Sequence, residues 1–293
     1  MTLSTWTSTN NYSTDALYRT EITNIHNALS AVGLVQTSDT GQCNPATLTR
    51  SSSTNTVVGY EIWRFNDSLQ SSYPCFIKLE YGSGLVASTS ISVWVTVGSA
   101  TDGAGNITGT MTTTRYQFFQ NSITSAANYT SGISGSSSRL TMVFNPGSSS
   151  YYVAWWFSVE RIQSTSGNDT NLGLVFVGAD RASSTVTQCV YYGTNKAQPA
   201  ASTVLGTLLL NDPSGTSWAV GNNIGTGPII PIGWGTHPPV QGGLCYYNGD
   251  LTALTTYTIN VYGSDHTYLA VGSNSIGTFS SHGSTVSVLA RWD

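Results

Sequence analysis

With 293 residues of which only 8% are charged, against about 25% in ordinary soluble domains, the chain has to keep itself in water through hydroxyl and amide groups. Its net charge of −4 comes with ten Lys and Arg residues set singly along the sequence. That distribution argues against nucleic acid or an anionic membrane as a main partner, because phosphate binding needs clustered cations.

No apolar run reaches the roughly eighteen residues that a membrane helix needs, and the opening MTLSTWTSTNNYS lacks both the basic and the apolar regions of an export signal. A soluble protein made in a cytoplasm is expected. Residues 1–12 are polar with one Trp and read as an arm that orders only against something else. A helix follows. Ser13 or Thr14 can cap it, Asp15 places an anion in the first turn, and Gly33 supplies a left-handed stop. Tyr18, Ile22, Ile25, Leu29 and Val32 form one apolar stripe at helical spacing. Such a stripe packs either on the sheets of its own chain or on a neighbouring subunit. Residues 1–34 are therefore taken as a helical anchor, and 35–293 as the main domain.

The densest strand signal runs from Gly59 to Gly84, GYEIWRFNDSLQSSYPCFIKLEYGSG, and reads as one β-hairpin. Period-two alternation places Tyr60, Ile62 and Arg64 on one face and Glu61, Trp63 and Phe65 on the other. In the return arm, Cys75, Ile77, Leu79 and Tyr81 oppose Phe76, Lys78 and Glu80. Arg64 and Lys78 are expected to meet Glu61 and Glu80 in a cross-strand ladder of ion pairs. Ile91 to Val97 adds a third strand to an antiparallel meander. TDGAGNITG at 101–109 has the Asp-Gly and Gly-Asn dipeptides of tight turns; it looks superficially like a calcium loop but lacks the helical frame and the closing Glu.

Residues 121–138 read as a Ser/Gly-rich loop. YYVAWWFSVERIQ then starts a second strong hairpin that returns through Leu172–Val177. Short runs at Val186–Tyr192, Val204–Leu210, Leu244–Tyr247, Tyr257–Tyr262 and Thr285–Arg291 continue the pattern. Short strands at such spacing predict an all-β fold, an antiparallel jelly-roll-like sandwich with one N-terminal helix. Gly225 to Val240, GTGPIIPIGWGTHPPV, breaks the pattern, with four of the nine prolines. It suits an extended loop that lies on a partner or folds over its own sandwich. The residues marked as a candidate interface are accordingly Tyr18, Ile22, Ile25, Leu29, Ile229, Ile230, Ile232 and Trp234.

Constellations for chemistry are missing. Cys43, Cys75, Cys189 and Cys245 stand apart from one another and from His at ligand spacing, so free thiols are expected and no metal. Glu61, Glu80 and Glu160 all sit in strand-like runs, and the four His are dispersed. Asp265-His266 comes nearest to a dyad, but neighbours on a strand point apart. No nucleophile elbow, phosphate loop or dinucleotide fingerprint occurs. No catalytic residue and no cofactor is assigned. The five Asn-x-Ser/Thr triplets, at Asn11, Asn66, Asn106, Asn128 and Asn168, follow from an Asn-, Ser- and Thr-rich composition.

Four blocks together carry a resemblance: the Gly59–Gly84 hairpin with W-R-F-N-D-S-L-Q; Trp94 to Gly109 with V-T-V-G and T-D-G-A-G-N; Phe157 to Arg161 followed by Gly167-Asn168-Asp169-Thr170; and the closing Ala290-Arg291-Trp292-Asp293. They resemble virion structural proteins of tailed bacteriophages. The resemblance spans about half the chain. It implies a non-enzymatic fibre, adaptor or decoration subunit on the tail or head, partnered by other virion proteins and by copies of itself. A trimer is preferred on that basis alone. Two readings stand beside it: a carbohydrate- or receptor-binding module stacking Trp and Tyr on a host glycan, and a glycoside hydrolase.

Overall fold

The computed structural model describes residues 1–9, 11–84, 87–110, 115–120, 128–144, 154–161, 173–179, 188–192, 226–228, 242–248, 251–252, 254–261, 263–272 and 286–293. Its strands form antiparallel sheets, and among the described residues one α-helix lies near the N-terminus. This is the all-β, sandwich-like class that the strand spacing predicts. The chain divides into two compact units, one of residues 1–138 with 144–147 and one of residues 139–143 with 148–293. The N-terminal 34 residues fall within the first unit.

In the first unit, β1 (Thr2–Thr9) precedes helix α1 (Asp15–Ala31). Thr14 caps the helix by accepting from the Leu17 amide, and Asp15 occupies the first turn. The helix ends in a Schellman motif, with the Leu34 amide on the Leu29 carbonyl and the Gly33 amide on that of Ser30. Gly33, at φ 93°, takes the left-handed position. A meander follows: β2 (Val35–Gln36), β3 (Val57–Arg64), β4 (Phe76–Ser83), β5 (Ile91–Thr101) and β6 (Ile107–Thr110) lie in that order, and β7 (Tyr116–Gln120) also pairs with β5. The predicted central hairpin is therefore present. Within the segment read as a Ser/Gly loop, residues 121–127 lie outside the described residues and Asn128–Ser136 form a strand, β8, which pairs with β1 over eight residues, Thr2↔Gly135 to Thr9↔Asn128. Ser131, Ile133 and Ser134 are buried there. Small side chains were taken as a loop signal, yet they let β8 pack closely while the ladder satisfies its backbone.

Register explains which face of the meander is the core. Glu61 pairs with Leu79, Trp63 with Ile77, and these with Val95 and Val97. Directly paired residues share a face, so Glu61, Trp63, Leu79, Ile77, Tyr81, Val93, Val95 and Val97 form one buried surface. Helix α1 covers it, as shown by the edge-to-face contact of the His26 and Trp63 rings. The helix stripe completes the core: Tyr18, Ile22, Ile25 and Leu29 are all at most 1% exposed. Each such side chain contributes about 1.5–3 kcal/mol of transfer free energy.

The second unit holds β9 (Arg139–Phe144), of which residues 139–143 belong here, with β10 (Trp155–Arg161), β11 (Gly173–Ala179) and β12 (Gln188–Tyr192) in succession. A five-stranded sheet runs β13 (Thr226–Pro228), β14 (Leu244–Asn248), β17 (Val286–Arg291), β16 (Ser264–Gly272) and β15 (Thr256–Val261). The second predicted hairpin is thus β10 with β11, while β16 was not foreseen. Pro228 closes β13, an edge strand in that order, where a missing N–H is tolerated. Cys245, Ile259, Val261, Tyr268, Ala270 and Leu289 form the core of this sheet.

Trp63 is 2% exposed and stacks under the helix. Trp63→Ala is expected to cost about 3–5 kcal/mol, read as a lower midpoint in chemical denaturation; an unshifted midpoint would show that the helix does not lean on this ring.

Candidate functional site

Three clusters of ionisable groups can be built from these elements. The first lies under helix α1. Glu61 faces the core of its meander and is fully buried, so its carboxylate needs donors from within the protein. Two reach it. Tyr81, on the neighbouring strand and the same face, donates its hydroxyl to Oε2 at 2.6 Å, and His26 brings Nδ1 from the helix onto Oε1. The predicted ion-pair ladder therefore excludes Glu61. Arg64 and Lys78 occupy the opposite face, where Glu80 sits 3.7 Å from both Lys78 and Arg115, Lys78 lies 4.5 Å over the Tyr60 ring, and Arg115 lies 4.8 Å over Trp94.

Cys43 enters the same neighbourhood through its amide on the Tyr60 carbonyl. Burial, followed by the charge of Glu61, pushes its thiol up to about 12. At neutral pH it is therefore no thiolate nucleophile. A histidine oriented by a carboxylate has the form of a general base, but here the pair also joins helix to sheet.

The second cluster ties β1 to the helix. Glu21 sits within the apolar stripe and is 2% exposed. Its Oε1 accepts from Trp6 Nε1 and from Ser8 Oγ, both at 2.8 Å, and Ser8 also meets Ser131 of β8 at 2.8 Å. Tyr12 lies beside the same carboxyl. Its hydroxyl is raised well above the ordinary value by burial and then by the Glu21 charge. Burial pushes Glu21 itself up to about 7, against the pull of the Trp6 and Ser8 hydrogen bonds.

The third cluster belongs to the second unit. Arg139, Arg161 and Arg291 are each at most 1% exposed, as is Glu160. Glu160 Oε2 accepts from the Gly243 amide at 2.9 Å. Burial raises its carboxyl to about 7, although Gly243, Arg139 and Arg291 oppose that shift. Arg139 is lowered to about 10 by burial and then by Arg291. Arg291 donates from Nε to Asp293 Oδ1 at 2.5 Å, from Nη1 to the Tyr268 hydroxyl at 3.4 Å, and from Nη2 to His266 Nδ1. His266 Nδ1 also lies 3.2 Å from Asp293 Oδ2, so the imidazole sits between the guanidinium and the carboxylate. Burial raises the Asp293 carboxyl, but the Arg291 hydrogen bond and charge outweigh it and hold the group below its ordinary value.

Asp265 takes no part, since its Oδ1 accepts from Asn260 at 2.8 Å; the two neighbours point apart as expected. In the TDGAGN turn the Asp102 carboxylate accepts from the Asn106 side chain at 2.6 Å and from the Ala104 and Asn106 amides at 2.8 and 3.0 Å. Those bonds, the Asn106 side chain first, lower its pKa. The Asp102 carboxylate thus closes the turn. Among the described residues no group of three or more His, Cys, Asp or Glu is placed to hold a metal.

Of the candidate interface residues, Tyr18, Ile22, Ile25 and Leu29 are buried in the core of the first unit. β1, β3 and β8 already cover the helix, so the stripe is not a free surface. Ile229, Ile230, Ile232 and Trp234 lie outside the described residues. Sequence reasoning passed over Glu21 and the pairing of His26 with Glu61. A signal for the first existed, since Glu21 falls three residues after Tyr18 and four before Ile25, inside the stripe. His26 carried no comparable mark, because its partner is 35 positions away. No family model, curated protein or solved structure matches the chain.

Two predictions follow from these clusters. Glu21 and Glu160 have folded-state pKa values raised to about 7 from an ordinary 4.5. Between those values the unfolded chain ionises while the folded one stays protonated. Stability present below about 4.5 is therefore lost as pH rises to about 7, on the order of 3 kcal/mol per carboxyl at most. Melting temperature should fall from about pH 5 to pH 8, less steeply in Glu21→Gln; a flat profile in the native chain refutes the assignment. Tyr81→Phe strips one donor from buried Glu61 and should cost about 1–3 kcal/mol in urea denaturation.

Proposed function

We propose that the chain is a non-enzymatic structural subunit of a tailed-phage virion, attached to tail or head as a fibre, adaptor or decoration protein and working by assembly with other virion proteins and copies of itself. One observation supports this reading beyond the four resembling blocks: among the described residues the Glu carboxyls that join helix to sheet and strand to strand are closed inside. Glu61, Glu160 and Glu21 are at most 2% exposed and bonded to residues of their own unit, where they fix helix to sheet and strand to strand. The charge-poor exterior suits a subunit that meets other proteins rather than ionic ligands.

The glycan-binding alternative requires aromatic rings in water. Among the described residues Trp63, Trp94, Trp155 and Trp156 are at most 9% exposed, Trp6 and Trp292 are half-buried, and Tyr73, at 40%, is the exposed large aromatic. This weighs toward assembly.

Labelling the subunit in intact particles and imaging them tests the proposal. The expected result is regular density on head or tail. Particles that carry no label, together with a positive glycan array for the purified chain, would overturn it.

A further inference from the structure

The N-terminal strand is bound like a ligand. Its eight residues, TLSTWTST, carry no charge and no proline, and they pair with β8 in an unbroken register. They are anchored by side chains outside the strand, with Trp6 and Ser8 on Glu21 and Ser8 on Ser131. The charges, prolines and bulges that protect strand edges from other chains are absent from it.

Its connection to the rest of the unit is short. Tyr12 is fully buried and its amide donates to the Thr89 carbonyl at 3.1 Å, so Tyr12 fixes the start of the helical segment in place. Only residues 10 and 11, both Asn, separate the end of β1 from that fixed point. With Tyr12 fixed, β1 is the part of the segment that can be exchanged while the helix keeps its place. Asn also accommodates the backbone conformations that a redirected strand would need.

We propose that the groove formed by β8 and the Glu21 carboxyl accepts the N-terminal strand of a second copy of this chain, so that β1 is an exchangeable element that links subunits. The occupant is fixed by the groove's own contents: every hydrogen bond that β1 makes within its chain is remade identically by the same strand from a neighbour. No new complementary surface has to form, which is why exchange of an identical element is a low-cost route to oligomers. α1 and the meander stay with their own copy, held from Tyr12 onward. This also gives physical content to the sequence reading of residues 1–12 as a segment that orders against something else. The inference deepens the assembly reading by naming a second copy as a partner, but it rests on the docking of β1. Its test uses the purified chain and is independent of particle imaging.

Thr7 and Thr130 are register partners and both exposed, so cysteine at either position leaves the core intact. Thr7→Cys and Thr130→Cys chains carrying different tags would be co-expressed, purified through both tags, oxidised, and digested for mass identification of the linked peptides. The expected result is a disulfide between position 7 of one chain and position 130 of the other, absent from either variant expressed alone. The double variant Thr7→Cys/Thr130→Cys is the control. If it closes the bond within one chain while the co-expressed pair yields no such link, exchange is overturned. If the double variant forms no bond at all, β1 is not docked on β8 and the proposal falls with it.

Discussion

Helix α1 is held in the first unit by carboxyl groups taken out of water, and most of that unit depends on how they are satisfied. Glu61 rises from the sheet to meet His26, and Glu21 descends from the helix to meet β1. An unpaired buried carboxylate would cost several kcal/mol, so neither can sit where it does unless helix, meander and N-terminal strand are all in place. These contacts are therefore conditional on one another in a way that apolar packing is not. A methyl group tolerates a shifted neighbour, whereas Glu61 loses Tyr81 or His26 outright if the register slips by one residue.

The low charge content makes such groups more telling. In a chain with few acids, several of them are placed in the interior, and the second unit repeats the pattern with Glu160 among Arg139 and Arg291. Their net worth is modest, since desolvation offsets much of what the hydrogen bonds return. Their effect is on uniqueness: the apolar stripe Tyr18, Ile22, Ile25 and Leu29 could slide along a greasy sheet, but the His26 and Glu21 bonds admit one position.

Local features were legible from the residues. Thr14 and Gly33 bounded the helix because caps are short-range chemistry, and the hairpin around Trp63 was visible because period-two alternation with aromatics is. The divergence of Asp265 and His266 was legible for the same reason. What escaped depended on pairing at a distance. β8 was hidden because Ser and Gly signal turns unless a partner strand satisfies them, and that partner, β1, lies at the other end of the unit. Glu61 was assigned to a surface ladder since alternation shows that two faces exist but not which one the helix will cover. Sparse charge gave a class of exterior and no address within the molecule.

The shielded thiols bear on chemical durability. Cys43 and Cys245 are both pushed up to about 12, by burial first, so at neutral pH almost none of either exists as the thiolate that reacts with oxidants or alkylating agents. The low thiolate fraction makes these two sulfurs slow to react. They can serve as small apolar fillers without introducing the risk of random cross-links, and ageing of the protein in air should proceed through other residues.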